Sequence, residues 1–333
     1  MVGAFIGLAT WKLTETAVES ARAPVIAAAT TDAESAAAVV PPPVPSGPYL
    51  DPTLLGFLER QAPANGTVGL YVRNLTTGSE VSVNASRVFP SASLYKVPIM
   101  VEAVRQIRLG HLTADQMMTV QRAHWVPGSG VLQGRVGESL PIRELLRLLI
   151  AESDNIAAMM LLDATGLNNV NATMQHMGLI GTRLLDYRAQ GAYNNGGPYF
   201  TSAGDMGKLL GTIGTGELVD QDASDEALRL LGQKQASDLL GESLPWNVKV
   251  AHKWGEIPGA RHEAGLVFTP KFQYVVVVMT QDVDPRGSPS YIRDLSKTIY
   301  DFFEMQALTS TTALHGPALP ADFVSGDAGT GRQ

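Results

Sequence analysis

The chain has 333 residues, a formal net charge of −7 and no cysteine. Without cysteine, disulfides, thiolate metal ligands and a cysteine nucleophile are excluded. The acidic balance argues against nucleic acid as a partner, because a basic surface supplies most of that affinity. Since 45% of the residues are hydrophobic, we expect a large globular protein, and a monomer by default.

Residues 1–48 are predicted to lie outside the folded domain. They begin with the apolar run "MVGAFIGLATW", which is shorter than the roughly 20 residues that a membrane helix needs. This run is similar to the apolar segment of an export signal, although no basic residue precedes it. A proline- and alanine-rich stretch follows, which predicts an extended linker. We therefore expect an exported protein that is extracellular, periplasmic or tethered to a membrane at the cell surface through its N-terminus.

The folded domain is predicted over residues 49–306 and begins with a short helix that Asp51 can cap. Two segments of alternating apolar and polar residues follow, 68–73 and 80–83. A turn at Gly78 joins them, and this is the pattern of a β-hairpin.

The middle of the chain is predicted to be helical, and its end returns to strands. Apolar residues from Ile142 to Ile150 recur at helical spacing, and Gly166 is a stop signal. Later, "NVKVAHKWGE", "HEAGLVFTP" and "FQYVVVVMTQ" are rich in strand-forming residues and are separated by turns. This pattern predicts three consecutive antiparallel strands. A last helix is predicted over residues 288–306.

This order of elements predicts an α+β fold. An α/β sandwich lobe from residues 49–90 and 208–306 would hold one antiparallel sheet of about five strands, flanked by helices. Residues 91–207 would form an all-α lobe, and binding sites tend to lie between such lobes. Residues 307–333 are small and polar without a periodic pattern, and they are predicted to be disordered.

Ser93 and Lys96 stand three positions apart in "FPSASLYKVPIM", where a helix is predicted to start. Residues at this spacing share a helix face with their Cβ atoms about 5–6 Å apart, so an uncharged lysine amine could take the serine proton. The amine must first lose its own proton, which burial or a cationic neighbour favours. A helix start also offers free backbone N–H groups to an oxyanion. Taken alone, the pair is more simply explained as an ordinary polar first turn.

Two more polar clusters follow. Ser153, Asp154 and Asn155 interrupt an apolar helical run, which predicts a turn between two helices with inward-facing side chains. Lys253 stands on a predicted strand in an apolar setting. Each cluster also has an ordinary explanation, as a helix cap and as an edge-strand charge that deters aggregation.

The order and spacing of the three clusters match a known set. Ser-x-x-Lys, then Ser-Asp-Asn, then a Lys-x-Gly strand resemble the motifs of the serine penicillin-recognising enzymes, and most closely those of class A β-lactamases. The resemblance covers roughly residues 50–305 and rests on "FPSASLYK", "GSGVLQ", "LLIAESDNIAAMMLL" and "HKWGEIPG". It implies a β-lactamase/transpeptidase-like fold.

The resemblance implies a role for each matching residue. Ser93 would be the acylated nucleophile, and Lys96 would be its base or proton relay. Ser153 would pass a proton to the departing β-lactam nitrogen. Lys253 would hold Ser153 and attract the ligand carboxylate, and Asn155 would bind the side-chain amide of the ligand.

The remaining implied contacts come from the strand that carries Lys253. Two backbone N–H groups, one from Ser93 and one from Glu256 just after Gly255, would form the oxyanion hole. The implied ligand is a small-molecule β-lactam or a D-Ala-type peptide. No metal or organic cofactor is implied.

Two features depart from the family pattern, and the first is Trp254. The family has threonine or serine between the lysine and the glycine of this motif, whereas Trp254 has no hydroxyl to donate to a ligand carboxylate. Its indole would narrow the cleft unless it turns away. His252, Arg261 and His262 are nearby donors that could replace the hydroxyl.

The second departure is in the loop that carries the deacylating Glu of class A enzymes. Residues 184–204 contain no Glu, and Asp186 is their only acid. Asp186 is therefore the candidate deacylation base, because such a base must reach a water that faces the ester. Arg188 could instead pair with Asp186.

The expected function is β-lactam hydrolysis through a Ser93 acyl-enzyme. One alternative is a D-alanyl-D-alanine peptidase or another acyl-transfer enzyme of the cell wall. Another is a protein that binds β-lactams or peptidoglycan and is only acylated or is not catalytic.

Overall fold

A computed structural model of the protein describes residues 49–186, 199–284 and 286–309. The predicted export segment and linker, Arg188, and residues 310–333 of the predicted tail lie outside the described residues. Among the helices that are described, none is long and apolar enough to cross a membrane.

The described residues form eight α-helices and eleven strands, and each helix follows a local signal in the sequence. The helices are α1 (Pro52–Arg60), α2 (Lys96–Arg108), α3 (Ile142–Ala151), α4 (Asn155–Thr165), α5 (Leu167–His176), α6 (Ala203–Gly214), α7 (Gln221–Leu231) and α8 (Ser288–Thr309). Asp51 caps α1 as predicted, because its side chain accepts from the N–H groups of Thr53 and Leu54. Helix α8 extends to Thr309, so residues 307–309 are helical and do not belong to a disordered tail.

The strands belong to one large sheet and two small ones. They are β1 (Tyr49–Leu50), β2 (Thr67–Asn74), β3 (Ser79–Val83), β4 (Val88–Pro90), β5 (Met117–Thr119), β6 (Ser139–Pro141), β7 (Arg183–Leu184), β8 (Tyr199–Ser202), β9 (Lys249–Ile257), β10 (Ala260–Phe268) and β11 (Gln273–Gln281). The small sheets, β4-β8-β7 and β5-β6, place short strands in the region that was predicted to be all-α.

The large sheet has the strand order β1-β3-β2-β11-β10-β9. The five longer strands pair antiparallel with their neighbours, so the predicted α+β fold with a five-stranded antiparallel sheet is confirmed. The sixth strand, β1, pairs parallel with β3. Two residues are too few to show a strand period, which is why the sequence pattern missed β1.

The large sheet is buried on both faces, which explains why the valines of β11 form a continuous apolar run. Val275 and Val277 belong to the core shared with the helices that follow Ser93. Val276 and Val278 belong to a second core, which α1 and α8 complete. Side chains on a strand alternate between faces, so neighbouring residues of one strand serve different cores. The same alternation separates the functional groups on β9.

Helix α6 packs on the first of these faces through a glycine. A Cβ atom on Gly207 would lie 2.0 Å from Cδ1 of Tyr71, whose ring is buried and whose hydroxyl donates to Glu80 at 2.7 Å. Gly211, one turn later on α6, has no atom within 4 Å of the corresponding position.

We expect Gly207→Ala to lower the free energy of unfolding by about 1–3 kcal/mol, because overpacking a core costs that much. Gly211→Ala is the matched control, and it should raise the free energy of unfolding by about 0.5–1 kcal/mol, since alanine favours a helix. Urea unfolding of both variants measures the two changes. If both substitutions raised the free energy of unfolding, the tight contact between Gly207 and Tyr71 would be contradicted.

Candidate active site

Ser93 lies in a 3-10 turn, Ala92–Tyr95, that continues directly into α2 at Lys96. Ala92 has a φ of 45°, a conformation that residues other than glycine rarely adopt. The turn is held by the N–H of Ser91, which donates to the Tyr199 carbonyl at 2.9 Å. Strained backbone of this kind is concentrated at functional sites.

The side chain of Lys96 is completely buried beneath this turn. Its Nζ lies 3.2 Å from Ser93 Oγ and 2.9 Å from Ser153 Oγ. It also donates to the Ser153 carbonyl and to Asn155 Oδ1, the latter at 2.7 Å. The amine therefore joins the first motif to the second, a contact that the sequence resemblance had not assigned to Lys96.

Burial lowers the pKa of Lys96 well below its ordinary value, and the positive charge of Lys253 lowers it further, while Asp154 opposes both effects. A lysine amine without its extra proton has two N–H donors and one lone pair. The Ser153 carbonyl and Asn155 Oδ1 can take the two donors. The lone pair is then available to a serine hydroxyl, which is the arrangement that a general base requires.

Ser153 occupies the predicted turn between helices, since α3 ends at Ala151 and α4 begins at Asn155. Its φ is 51°, and its side chain is buried. Asp154 stabilises the turn with both carboxylate oxygens. One oxygen caps α4, and the other accepts from two N–H groups of the "GSGVLQ" loop, those of Val131 and Leu132, at 2.6 and 2.8 Å.

Glycines let the "GSGVLQ" loop approach this turn closely. Gly128 and Gly130 have φ values of 112° and 125°, and Cβ atoms there would lie 2.5 Å from Asn155 and 2.3 Å from Asp154. Ser129 Oγ donates to the Ser153 carbonyl at 2.6 Å. The loop therefore fixes the peptide that Lys96 contacts from the other side.

Asn155 is held at both ends of its amide. Oδ1 accepts from Lys96, and Nδ2 donates to the Pro127 carbonyl at 2.8 Å. One of the two N–H bonds on Nδ2 is left for a ligand.

Lys253 is buried on β9, and burial lowers its pKa to about 7, against an opposing effect of Glu263. Its Nζ donates to Gln235 Oε1 at 3.1 Å and to the Trp254 carbonyl at 2.9 Å. Within the part of the chain that the structure describes, it makes no hydrogen bond to Ser153. The resemblance implied that contact, and here Gln235 holds the lysine instead.

Gln235 was missed by the sequence reasoning. It lies between α7 and β9, and its Nε2 donates to the His252 carbonyl. No motif marks it, because its contacts to β9 depend on the tertiary fold. The only signal was a polar residue in the segment that leads into the Lys253 strand.

Gly255 brings β9 against the serine turn. A Cβ on Gly255 would lie 2.7 Å from the backbone nitrogen of Ser93, so only glycine fits without moving the strand. Because β9 is an edge strand of its sheet, alternate N–H groups along it lack a sheet partner. This contact puts the Ser93 nitrogen beside the strand segment that leads to Glu256, where the resemblance implied the oxyanion hole.

Trp254 follows the alternation of β9 to the other sheet face. It pairs with Glu263 across the strands, whereas Lys253 and Gly255 belong to the face of Ser93. Its ring still lies 5.2 Å from Lys253 Nζ, within range of a cation–π contact. The indole therefore lies close to the amine, although the two residues belong to opposite faces of the sheet.

The three donors proposed to replace the missing hydroxyl lie close to other groups. His252 lies on the face of Trp254, 2.9 Å from Glu263. His262 accepts from the Thr280 N–H and lies 2.8 Å from the Pro90 carbonyl.

Arg261 pairs with Glu256 at 3.0 Å. The register places Arg261 opposite Glu256, and therefore on the face of Trp254. Lys253 is then the cation best placed for a ligand carboxylate.

Asp186 is exposed and lines a hollow of about 270 Å³ beside α4 and α5, together with Asp163 and Tyr199. Ser93, Lys96 and Ser153 are not among the described residues that line it. Tyr199, which lines the hollow, packs its ring against that of Tyr95 at 4.2 Å. Asp186 therefore lines a hollow that Ser93, Lys96 and Ser153 do not line.

The geometry brings together the groups needed for acyl transfer. A serine hydroxyl, a buried amine, a second hydroxyl and a second buried lysine converge where α2, the α3–α4 turn and β9 meet. Acyl transfer requires a nucleophile, a base and donors for an oxyanion.

Comparisons with known proteins show what the whole domain is similar to. Beta-lactamase VEB-1 of Pseudomonas aeruginosa is 23% identical over 263 residues, which cover 72% of this chain and 86% of that protein. The structure of PBP-A matches with a TM-score of 0.71 and 29% identity, covering 78% of this chain and 98% of PBP-A. A PBP-A mutant, solved as an acyl-enzyme complex with penicillin G, matches with a TM-score of 0.68 and 30% identity, covering 76% and 95%.

The family comparison spans most of the folded domain. The profile described as the Beta-lactamase enzyme family matches residues 56–303, which include all three motifs. The chain therefore belongs to the β-lactamase enzyme family, among the serine penicillin-recognising enzymes that its motifs resemble.

Proposed function

We propose that the protein is a serine hydrolase that opens β-lactam rings through an acyl-enzyme on Ser93. The observation that carries this proposal is the completely buried amine of Lys96, 3.2 Å from Ser93 Oγ. Burial favours the neutral amine, and only a neutral amine can accept the serine proton.

In the proposed acylation, the Ser93 proton moves to Lys96 Nζ while Oγ attacks the β-lactam carbonyl. The carbonyl oxygen becomes an oxyanion, which the N–H groups of Ser93 and Glu256 stabilise. When the tetrahedral intermediate collapses, the C–N bond breaks and the nitrogen takes a proton from Ser153 Oγ. Lys96 Nζ, 2.9 Å from that oxygen, returns the proton to it.

The flanking residues would bind the rest of the ligand. Lys253 would attract the carboxylate, because its amine is buried with only two neutral acceptors, Gln235 and the Trp254 carbonyl. Asn155 would offer its remaining amide hydrogen to the side-chain amide of the ligand. Trp254 supplies no hydroxyl, so we expect weaker carboxylate recognition than a Lys-Thr-Gly motif would give.

A second function is favoured by the place of Asp186. If no carboxylate reaches the ester, the acyl-enzyme persists, as expected for a D-alanyl-D-alanine peptidase or for a β-lactam or peptidoglycan receptor. The match to a mutant of PBP-A that was solved as an acyl-enzyme complex with penicillin G supports this alternative. Both functions suit the exported location proposed from the N-terminal sequence, and both use a small β-lactam or D-Ala-type peptide.

We expect wild-type protein to gain the mass of one penicillin molecule, and Ser93→Ala to gain none, because the alanine has no nucleophile. Intact-mass spectrometry after incubation with penicillin G measures the adduct. Ser290→Ala, an exposed serine that bonds only within its own helix region, is the matched control and should be acylated normally. An adduct on Ser93→Ala, or none on wild type with several β-lactams, would refute the assigned nucleophile.

We expect Asp186→Asn to change the lifetime of the acyl-enzyme by less than about twofold, because a base must be within hydrogen-bond reach of the water that it activates. Asp163→Asn is the control, since Asp163 lines the same hollow. Loss of the adduct after removal of free penicillin is followed by mass spectrometry. A lifetime at least about tenfold longer in Asp186→Asn alone would establish Asp186 as the deacylation base and favour rapid β-lactam hydrolysis.

The lowered pKa of Lys96 predicts a specific dependence of stability on pH. The unfolded chain keeps lysine protonated up to about pH 10.4, so between the lowered native pKa and that value the unfolded state binds more protons. The free energy of unfolding then rises with pH in this window. Lys96→Met removes this contribution.

From the lowered native pKa up to about pH 9.5, wild type should therefore gain up to about 1.4 kcal/mol per pH unit relative to Lys96→Met. Urea unfolding at several pH values measures the difference between the two proteins. A difference that stays constant with pH would mean that the native amine is protonated like that of the unfolded chain.

A further inference from the structure

A second cluster of polar side chains lies on the sheet face opposite Ser93. It consists of His252 on β9, Glu263 on β10 and Asp238 in the segment between α7 and β9. One donor atom from each lies within 4.8 Å of the others. The proposed acyl transfer uses none of these three side chains.

The carboxylate of Glu263 is unusual because it is completely buried yet poorly hydrogen-bonded. Its Oε2 accepts from the Leu239 N–H at 3.2 Å. Its Oε1 has no hydrogen-bond partner among the described residues. Burying a carboxylate with so few hydrogen bonds is costly unless cations compensate its charge, and the nearby cation that interacts with Glu263 is Lys253.

His252 is also buried, and its Nδ1 likewise has no hydrogen-bond partner within the described ranges. This nitrogen and Glu263 Oε1 approach to 2.9 Å, but not at an angle that makes a hydrogen bond. Two donor atoms that are close without bonding to each other suit a shared third atom better than a shared proton.

Asp238 is the third and most exposed member of the cluster. Its Oδ1 lies 3.8 Å from His252 Nε2 and accepts from the Gly241 N–H at 2.8 Å. Its side chain is 44% exposed, so the cluster can be reached from solvent.

We propose that Asp238, His252 and Glu263 bind a divalent transition-metal ion, with Zn²⁺ as the best match. One imidazole and two carboxylates form a ligand set that zinc accepts, with bonds of about 2.0–2.2 Å. Ligand atoms on such bonds lie about 3–3.5 Å apart. His252 Nδ1 and Glu263 Oε1 are 2.9 Å apart, whereas Asp238 Oδ1 lies 3.8 Å from the other ring nitrogen. Because one ion takes a single nitrogen of the ring, the partly exposed Asp238 would move toward the ion. The two carboxylates would neutralise the charge of the ion.

The metal would have a structural role. It would tie the segment that contains Asp238 to β9 and β10, on the face away from the nucleophile. Mg²⁺ is a poor competitor because it prefers oxygen ligands in an octahedral arrangement.

The experiment measures zinc bound to the full chain. Protein stripped with a chelator is dialysed against buffered Zn²⁺, or against Mg²⁺ for comparison, and the bound metal per chain is measured by elemental mass spectrometry. We expect one Zn²⁺ per wild-type chain and no retained Mg²⁺. His252→Gln and Asp238→Asn should each weaken zinc binding by at least the roughly 10-fold to 100-fold that even a partner of a metal ligand contributes.

Controls separate this site from the other histidines and from unfolding. His124→Gln removes a histidine that pairs with one carboxylate only, Asp163 at 3.2 Å, and it should bind zinc like wild type. Asp238→Asn keeps the test valid if His252→Gln does not fold, because Asp238 is partly exposed, and near-ultraviolet circular dichroism checks both folds.

The result that overturns the proposal is equal zinc binding by wild type and folded Asp238→Asn, or no zinc bound by wild type. His252 and Glu263 would then be a buried ion pair. Neither result bears on Ser93 acylation, which the penicillin adduct tests separately.

Discussion

Burial of the Lys96 amine is the constraint on which the rest of the site depends. A charged amine in this position would be very unfavourable, so the surroundings must supply acceptors and favour the neutral form. Ser153 and Asn155 supply those acceptors. They can do so only because the α3–α4 turn adopts a left-handed conformation at Ser153.

The conformation at Ser153 is stabilised by Asp154, the middle residue of the Ser-Asp-Asn motif, whose role is structural. Its carboxylate satisfies four N–H groups, two at the start of α4 and two in the "GSGVLQ" loop. The loop then supports the Ser153 peptide through Ser129. The motif Ser-Asp-Asn therefore combines two residues that contact the amine with one that holds them in place.

Most of the fold and the first two motifs could be predicted from the sequence because their signals are local. The alternation of apolar and polar residues and the strand-forming residues predicted the five long strands, and Asp51 indicated the start of α1. Contacts made over long distances could not be predicted in this way. Gln235 contacts β9 from a segment without a pattern, and β1 is too short to have a period. The place of Asp186 beside residues of α4 and Tyr199 is a tertiary contact that no local pattern encodes.

Strand β9 presents a different group of polar side chains on each face of the sheet. Alternation directs Lys253 and Gly255 toward the serine turn, and it directs His252 and Trp254 toward the opposite face. Trp254, in place of a hydroxyl residue, therefore removes one hydrogen-bond donor from β9. The close contact between Gly255 and the Ser93 nitrogen is kept. In the proposed function Lys253 would compensate for that lost donor, and its amine is held by Gln235 and the Trp254 carbonyl. Ligand selectivity should consequently be determined as much by the segment between α7 and β9 as by the three motifs.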